Sequence, residues 1–177
     1  MSDRVIPLVM KEVEKERFAQ KLGLRLIKLE AGHAIVEMEP QEELTNLFGM
    51  THGGAIFSLI DEAFEVSCNS HGTVAVALSM TVTFHRAPDQ KSRLRAESVE
   101  IHRSAKTGTY EIKVINEHND LIASCTALAY RKKERLPFLS PPSQDPASPS
   151  GPLTGRSEEN REGGLRDGDA IDKMAGY

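Results

Sequence analysis

The sequence predicts an α+β domain in which a curved antiparallel sheet wraps around one long central helix. Apolar side chains recur at a spacing of about 3.6 residues over 53–69 and cover most of the helical wheel, which indicates a largely buried helix. Strand-like segments follow after Gly72, and short polar links join them. Links this short favour antiparallel neighbours over crossover connections. A long apolar helix beside such strands packs best inside a sheet that curves around it.

Residues 1–22 are predicted to form a single N-terminal helix. It runs from about Pro7, a residue that a first helical turn accepts, to Lys21. The domain itself is predicted at 23–133 and begins with a β-hairpin. Two short strand-like runs lie on either side of a glycine-containing turn at 30–32.

Four further strands follow the central helix, so the sheet is expected to contain five to six strands. These segments are rich in residues that favour strands and lie at 74–84, 92–103, 108–116 and 121–131. The polar links between them lie at 87–91, 104–107 and 117–120. Each strand is therefore expected to pair with the next one along the chain, as in a meander.

A change in composition after Lys133 marks the end of the predicted domain. Residues 137–177 contain six of the nine prolines and show neither helical nor strand periodicity. Such a segment cannot bury enough apolar area to offset the conformational entropy that ordering it would cost. We therefore predict a disordered tail at 137–177.

Charge and composition exclude several classes of function. Up to Leu136 the chain carries 18 Lys and Arg against 19 Asp and Glu, so it has no broad basic surface for nucleic acid. No window approaches the roughly 20 apolar residues of a membrane span. Cys68 and Cys125 lie in apolar runs, and we expect them to be small buried hydrophobes. The expected protein is soluble and cytoplasmic, without nucleic-acid or membrane partners, and mitochondrial import is the alternative location.

The start of the central helix is the first candidate for chemistry. A helix N-terminus presents unpaired N–H groups and the positive end of the helix dipole. Gly53 and Gly54 carry no side chain that would keep a substrate carbonyl away from those donors. The pair therefore suits an oxyanion hole, and the alternative is that it forms a plain turn.

Asp61 is the second candidate, because it lies on the apolar side of the same helix. It is about 70° around the helix axis from the centre of the polar stripe. That stripe consists of Ser58, Glu62, Glu65 and Asn69. A carboxylate on a buried helix face is costly unless it is paired or functional. Asp61 is therefore either a catalytic group or a buried hydrogen-bond acceptor.

The spacing of the two candidates constrains how the protein assembles. Asp61 is eight residues beyond Gly53, which is about 12 Å along one helix. A single substrate carbonyl cannot contact both groups at that distance. Two helices that lie antiparallel across a twofold axis would bring Asp61 of one subunit to the Gly53 end of the other. The spacing therefore predicts a dimer with two equivalent sites.

The pattern around these residues resembles a known family. It is similar to the hotdog thioesterases of the phenylacetate-degradation type in the arrangement Asn46-x5-His52-Gly53-Gly54-x6-Asp61. The similarity covers about residues 18–131. It implies a hotdog fold, with a six-stranded sheet around the central helix. It also implies homodimers, often paired into homotetramers, and catalysis without a metal or a cofactor.

The resemblance implies a role for each site residue. Asp61 would be the general base or the nucleophile, and the Gly53 N–H would polarise the thioester carbonyl. His52 and Asn46 would orient the thioester or the water from the facing subunit. Further substrate contacts are expected from Gly54, from a residue near the water (Ser79 or its neighbour Ala77), and from basic residues near the coenzyme A phosphates, namely Arg86, Arg103 and Lys106.

The function that the resemblance implies is hydrolysis of acyl-coenzyme A. The alternative is a non-catalytic module that binds or senses acyl-coenzyme A on the same fold. Such a module is expected to lack a carboxylate at the position of Asp61. Other classes fit the sequence less well. It has no GxSxG elbow for a Ser/His/Asp hydrolase, no Asp and His together at the helix entry as in the hotdog dehydratases, and no histidine spacing for a metal site.

Overall fold

Six strands form one antiparallel sheet, and one long helix packs against it. The structure is a computed structural model that describes residues 2–139. The segment predicted to be a disordered tail begins with a short 3-10 helix, Pro137–Leu139, and from residue 140 onward it lies outside the described residues.

The central helix and the strands occur close to their predicted positions. The helices are α1 (Ser2–Val13), α2 (Arg17–Lys21) and α3 (Gly53–Asn69). The strands are β1 (Leu24–Glu30), β2 (His33–Met38), β3 (Thr73–Phe84), β4 (Leu94–Arg103), β5 (Thr107–Asn116) and β6 (Leu121–Arg135). None of the helices in residues 2–139 is long and apolar enough to cross a membrane.

The N-terminal segment consists of two helices, so the prediction of a single helix over 1–22 is wrong. A turn at 14–16 separates them, and Gln20 Nε2 donates a hydrogen bond to the Glu14 carbonyl at 2.6 Å. On one straight helix, Val9 and Ala19 would point about 80° apart. Both are buried, with exposed fractions of 3% and 4%. The break therefore lets each short helix turn its own apolar face toward the domain.

The strand order is β1-β2-β4-β5-β6-β3, so the meander prediction is wrong at its first connection. β3 pairs with β6 at one edge of the sheet, whereas β4 pairs with β2 and β5. The link at 85–93 therefore crosses the ends of β5 and β6. Three strand spacings of about 4.8 Å are well within the reach of such a link, so its shortness does not make β3 and β4 neighbours.

The helix α3 forms the centre of the hydrophobic core, as the sequence predicts. Leu59 and Ile60 have no exposed surface, and Phe64 packs edge-on against Tyr110 of β5 with ring centroids 5.4 Å apart. Buried side chains from β2, β4, β5 and β6 complete this core. Both cysteines are buried free thiols, which confirms the prediction made for them.

Candidate active site

His52 caps the start of α3 and leaves the N–H of Gly53 as a free donor. The Nδ1 atom of His52 accepts a hydrogen bond from the Gly54 N–H at 2.8 Å. The N–H groups of Ala55 and Ile56 donate to the His52 carbonyl at 2.9 and 3.2 Å. Within residues 2–139 the Gly53 N–H has no such acceptor. It is therefore the donor of the first turn that remains for a substrate oxygen.

The same cap fixes the tautomer of His52. Because Nδ1 accepts a hydrogen bond, the hydrogen of the neutral ring lies on Nε2. The His52 side chain is exposed, so its Nε2–H can donate to a group from outside the chain. Gly54, which the resemblance assigns to substrate contact, has its N–H occupied by this cap.

Asn46 organises the loop that leads into α3. Its Oδ1 accepts hydrogen bonds from the N–H groups of Phe48 and Met50, at 2.9 and 3.2 Å. Its backbone N–H donates to the Met50 carbonyl at 2.8 Å, which closes the loop. The side-chain N–H2 group of Asn46 is not used in these contacts. Asn46 thus holds the loop in shape and keeps a donor for a water or a thioester.

Asp61 is half-buried in the third turn of α3. Burial raises the pKa of its carboxyl group above the ordinary value, and no cation or hydrogen-bond donor in the described residues counteracts this effect. A carboxylate that served as a buried structural hydrogen-bond acceptor would have a hydrogen-bond donor as its partner. The environment of Asp61 within one subunit therefore favours a functional carboxylate over a buried hydrogen-bond acceptor.

One subunit does not bring Asp61 and Gly53 together. The helix α3 is continuous from Gly53 to Asn69, so the two residues remain about 12 Å apart along its axis. A cavity of about 210 Å³ opens beside the helix start and is lined by His52, Gly54 and Ser58, but not by Asp61. The single chain therefore holds the two halves of the predicted site apart.

A bulge in β3 decides which side chains of this strand face α3. The pairing of β3 with β6 shifts between Ala77 and Ser79, so the alternation of faces changes at Leu78. Beyond the bulge, Met80 and Val82 pack against the core that contains α3. Ser79 therefore points to the other face of the sheet. Ala77, which pairs with the fully buried Ala129, lies on the α3 side.

The basic residues assigned to coenzyme A phosphates lie at opposite ends of the sheet. Arg86 follows β3, beside the start of β6, and forms an ion pair with Asp120 at 2.7 Å. Arg103 ends β4 and forms an ion pair with Glu100 at 3.2 Å. Lys106 lies in the turn between β4 and β5. Within one subunit, Arg86 does not join the other two residues in one patch.

Two features near the site were not foreseen from the sequence. Phe84 lies beside the start of α3, where a Cβ atom on Gly53 would be 3.6 Å from its ring. Next to Asp61, the carboxylate oxygens of Glu16, Glu62 and Glu65 lie within 4.8 Å of one another. Periodicity assigned Glu62 to the polar stripe, but only 5% of it is exposed, and the carboxylate of Glu16 from the N-terminal segment lies close to its own.

Comparison with known proteins agrees with this geometry. The family model "Thioesterase superfamily" matches residues 48–123. The acyl-coenzyme A thioesterase PaaI of Escherichia coli is 33% identical over 118 residues, which are 67% of this chain and 84% of the relative.

Two solved structures extend the similarity to the whole fold. The E. coli PaaI protein from the phenylacetic acid degradation operon superposes with a TM-score of 0.72 at 30% identity, covering 76% of this chain and 97% of that one. A mutant of the phenylacetic acid degradation protein PaaI from Thermus thermophilus gives a TM-score of 0.64 at 34% identity, covering 66% of this chain and 100% of that one. The chain therefore belongs to the thioesterase superfamily, as a PaaI-like hotdog thioesterase.

Proposed function

We propose that this chain hydrolyses acyl-coenzyme A thioesters to the free acid and coenzyme A. The observation that carries the proposal is Asp61, a half-buried carboxyl group without a partner in the described part of the chain. It lies on the helix whose first turn keeps the Gly53 N–H free. The E. coli relative is named an acyl-coenzyme A thioesterase, which supports coenzyme A esters as the substrate class.

The proposed reaction needs help at one step, the attack on the thioester carbonyl. The Gly53 N–H donates to the carbonyl oxygen and stabilises the negative charge that develops there. His52 Nε2–H and the side-chain amide of Asn46 are additional donors. As general base, Asp61 takes a proton from the attacking water, the C–S bond breaks, and the proton passes to the thiolate that leaves. As nucleophile, the same carboxylate attacks the carbonyl, the C–S bond breaks and coenzyme A leaves as the thiolate, and water then hydrolyses the resulting mixed anhydride to the free acid and the Asp61 carboxylate.

The minimum active unit in this proposal is a homodimer. In the sheet, β3 pairs with β6 along one side, and its other side is an edge with exposed Leu78 and Phe84. A long edge strand with exposed apolar side chains is suited to pairing with another chain. Two β3 strands paired about a twofold axis would extend the sheet and set two α3 helices side by side. We extend the proposal to homotetramers that contain two such dimers.

The same antiparallel arrangement gives the basic residues a common role. It would place the end of the sheet that contains Arg103 in one subunit beside the start of α3 in the other. The coenzyme A part of a bound thioester would lie there. Arg103 and Lys106 are then proposed contacts of the phosphates, with Arg86 as a third. We propose a cytoplasmic enzyme of this kind, acting on dissolved esters, with aryl esters such as those of phenylacetate among the candidate substrates.

A turnover screen tests the proposed activity. Full-length protein is mixed with straight-chain and aryl acyl-coenzyme A esters, and release of the free thiol is followed with a thiol-detecting reagent. We expect thiol release from at least one ester, with little release by an equal amount of the Asp61→Asn protein. Tight binding of esters without thiol release by the wild-type protein would instead support the non-catalytic binding module.

A further inference from the structure

Phe57 is an apolar side chain of the central helix that the single chain leaves uncovered. The structure describes α3 in full, and every other apolar side chain on this helix is buried. Phe57 is 39% exposed, whereas Phe64, two turns further along, lies in the core. An aromatic ring carries one of the largest apolar areas of any side chain, so covering it stabilises a structure strongly. Phe57 is therefore a candidate for contact with a second chain.

The position of Phe57 is midway between the two halves of the candidate active site. It follows Gly53 by four residues and precedes Asp61 by four, so it is about 6 Å from each along the helix axis. Residues four apart on a helix are neighbours on one face, so these three residues form one row. Phe84 of the β3 edge lies beside Gly53. The row is therefore continuous with the edge that we propose to pair in the dimer.

A twofold axis turns this midpoint into a self-contact. In the proposed dimer, the Gly53 N–H of one subunit and the Asp61 carboxylate of the other reach the same carbonyl. The two α3 helices then run antiparallel, with these two residues opposite each other. The residue midway between them lies beside the axis in both subunits. Phe57 of one subunit therefore faces Phe57 of the other.

We infer that the two Phe57 rings of a dimer pack against each other on the twofold axis and form a common wall that limits the length of the acyl group in both sites. This inference rests on the proposed shared site. The bound carbonyl lies at Gly53, and the coenzyme A part leaves past the start of α3, away from the axis. The acyl group then points along α3 toward the ring pair, about 6 Å further along the helix. A site of that depth suits short acyl chains and single aromatic rings.

The cavity of about 210 Å³ beside the helix start is the competing location for the acyl group. Phe18 of α2 lines it, but so do the polar side chains of Glu43, Thr45 and His52. Phe57 is not part of its lining. A polar lining makes the cavity a poor place for an apolar chain, because buried polar groups need hydrogen-bond partners. The two locations predict that different phenylalanines control acyl length.

Chemical cross-linking tests the self-contact without relying on hydrolysis. Full-length Phe57→Cys protein is treated with a short bis-maleimide, which forms a thioether with one thiol at each end, and is run on a denaturing gel. We expect a covalent dimer, because the two introduced thiols face each other. Wild-type protein should run as a monomer, since Cys68 and Cys125 are buried.

Phe138→Cys is the matched control for cross-linking. Phe138 has a similar exposure of 37% and lies in the short 3-10 helix after β6, away from the row on α3. Its protein should also run as a monomer. A Phe57→Cys protein that cross-links no better than this control would overturn the self-contact.

Binding of acyl-coenzyme A esters tests the wall. Calorimetry in the Asp61→Asn background, in which bound esters persist, gives the Kd of butanoyl- and octanoyl-coenzyme A. Phe57→Ala should tighten octanoyl binding at least about 10-fold and change butanoyl binding less than about 2-fold, since burying about two more methylene groups accounts for a tenfold gain. Phe57→Leu, which keeps an apolar side chain on the axis, should shift in the same direction and serves if the alanine variant does not fold.

Two further variants in the same background complete this test. Phe138→Ala should bind both esters as the parent does. A gain in octanoyl binding by Phe18→Ala, with none by the Phe57 variants, would place the acyl group in the cavity and overturn the inference. An unchanged preference in all of these variants would overturn it as well. Binding of esters by the wild type without thiol release would contradict the proposed hydrolysis but not the shared wall, so the two failures are distinguishable.

Discussion

Replacing Asp61 with asparagine should lower turnover by about 10²- to 10⁴-fold, the range expected when acid–base help is lost. Asparagine keeps the shape and the hydrogen-bonding capacity of the side chain but removes the negative charge. KM should change little, because the donors at Gly53, His52 and Asn46 are untouched. Turnover and unfolding are measured on one preparation, with Asp89→Asn as the control, since Asp89 is exposed in the link between β3 and β4.

The stability of this variant separates a catalytic carboxylate from a structural one. Burial raises the pKa of Asp61 above 3.8, so the folded state holds the proton more tightly than the unfolded chain does. This contribution to stability is full below pH 3.8 and is lost as the pH rises through the folded-state pKa. Removing the charge at neutral pH should therefore leave the free energy of unfolding unchanged or higher. A loss of about 1 to 3 kcal/mol, with activity that follows the folded fraction, would identify a structural acceptor instead.

A bulky residue at position 53 should be almost as damaging to turnover. Gly53→Leu keeps the backbone N–H but covers it, and we expect turnover to fall by about 10²- to 10³-fold, the usual effect of losing an oxyanion donor. Folding should persist, because a leucine suits a helix better than a glycine does.

Gly53→Ala is the matched control for this variant. Its Cβ would lie 3.6 Å from the Phe84 ring, an ordinary van der Waals distance, so the alanine fits and should retain most of the activity. Steady-state kinetics and melting curves of the two variants, measured side by side, check both expectations. Near wild-type turnover in a folded Gly53→Leu protein would exclude the Gly53 N–H as the oxyanion donor.

The local elements of this fold could be predicted because periodicity determines them. The 3.6-residue repeat defined α3 to within a residue, and alternation with turn residues located all six strands. The position of β3 could not be predicted. The length of the link at 85–93 limits how far apart β3 and β4 are, but it does not say that β5 and β6 lie between them. The strand order depends instead on packing between residues from all six strands, which are far apart in the sequence.

Only those site residues that are close together in the sequence could be predicted. The spacing from His52 to Asp61 located the helix start and the carboxylate, since both lie on one continuous helix. The direction of Ser79 depends on the bulge at Leu78, which leaves no mark in the pattern of apolar residues. The grouping of Glu16, Glu62 and Glu65 depends on the approach of Glu16 to α3, so only the folded chain reveals it.

The central claim is a site shared by two subunits, and mixing two inactive variants tests it most directly. Asp61→Asn retains Gly53, and Gly53→Leu retains Asp61, so a hybrid dimer contains one intact site and one doubly damaged site. Under subunit exchange at equal amounts, half of the dimers are hybrids, and thiol release should recover to about a quarter of the wild-type rate. If exchange is verified by mass labelling and the mixture stays as inactive as its components, Asp61 and Gly53 do not act on the same carbonyl across a dimer, and the shared-site account is wrong.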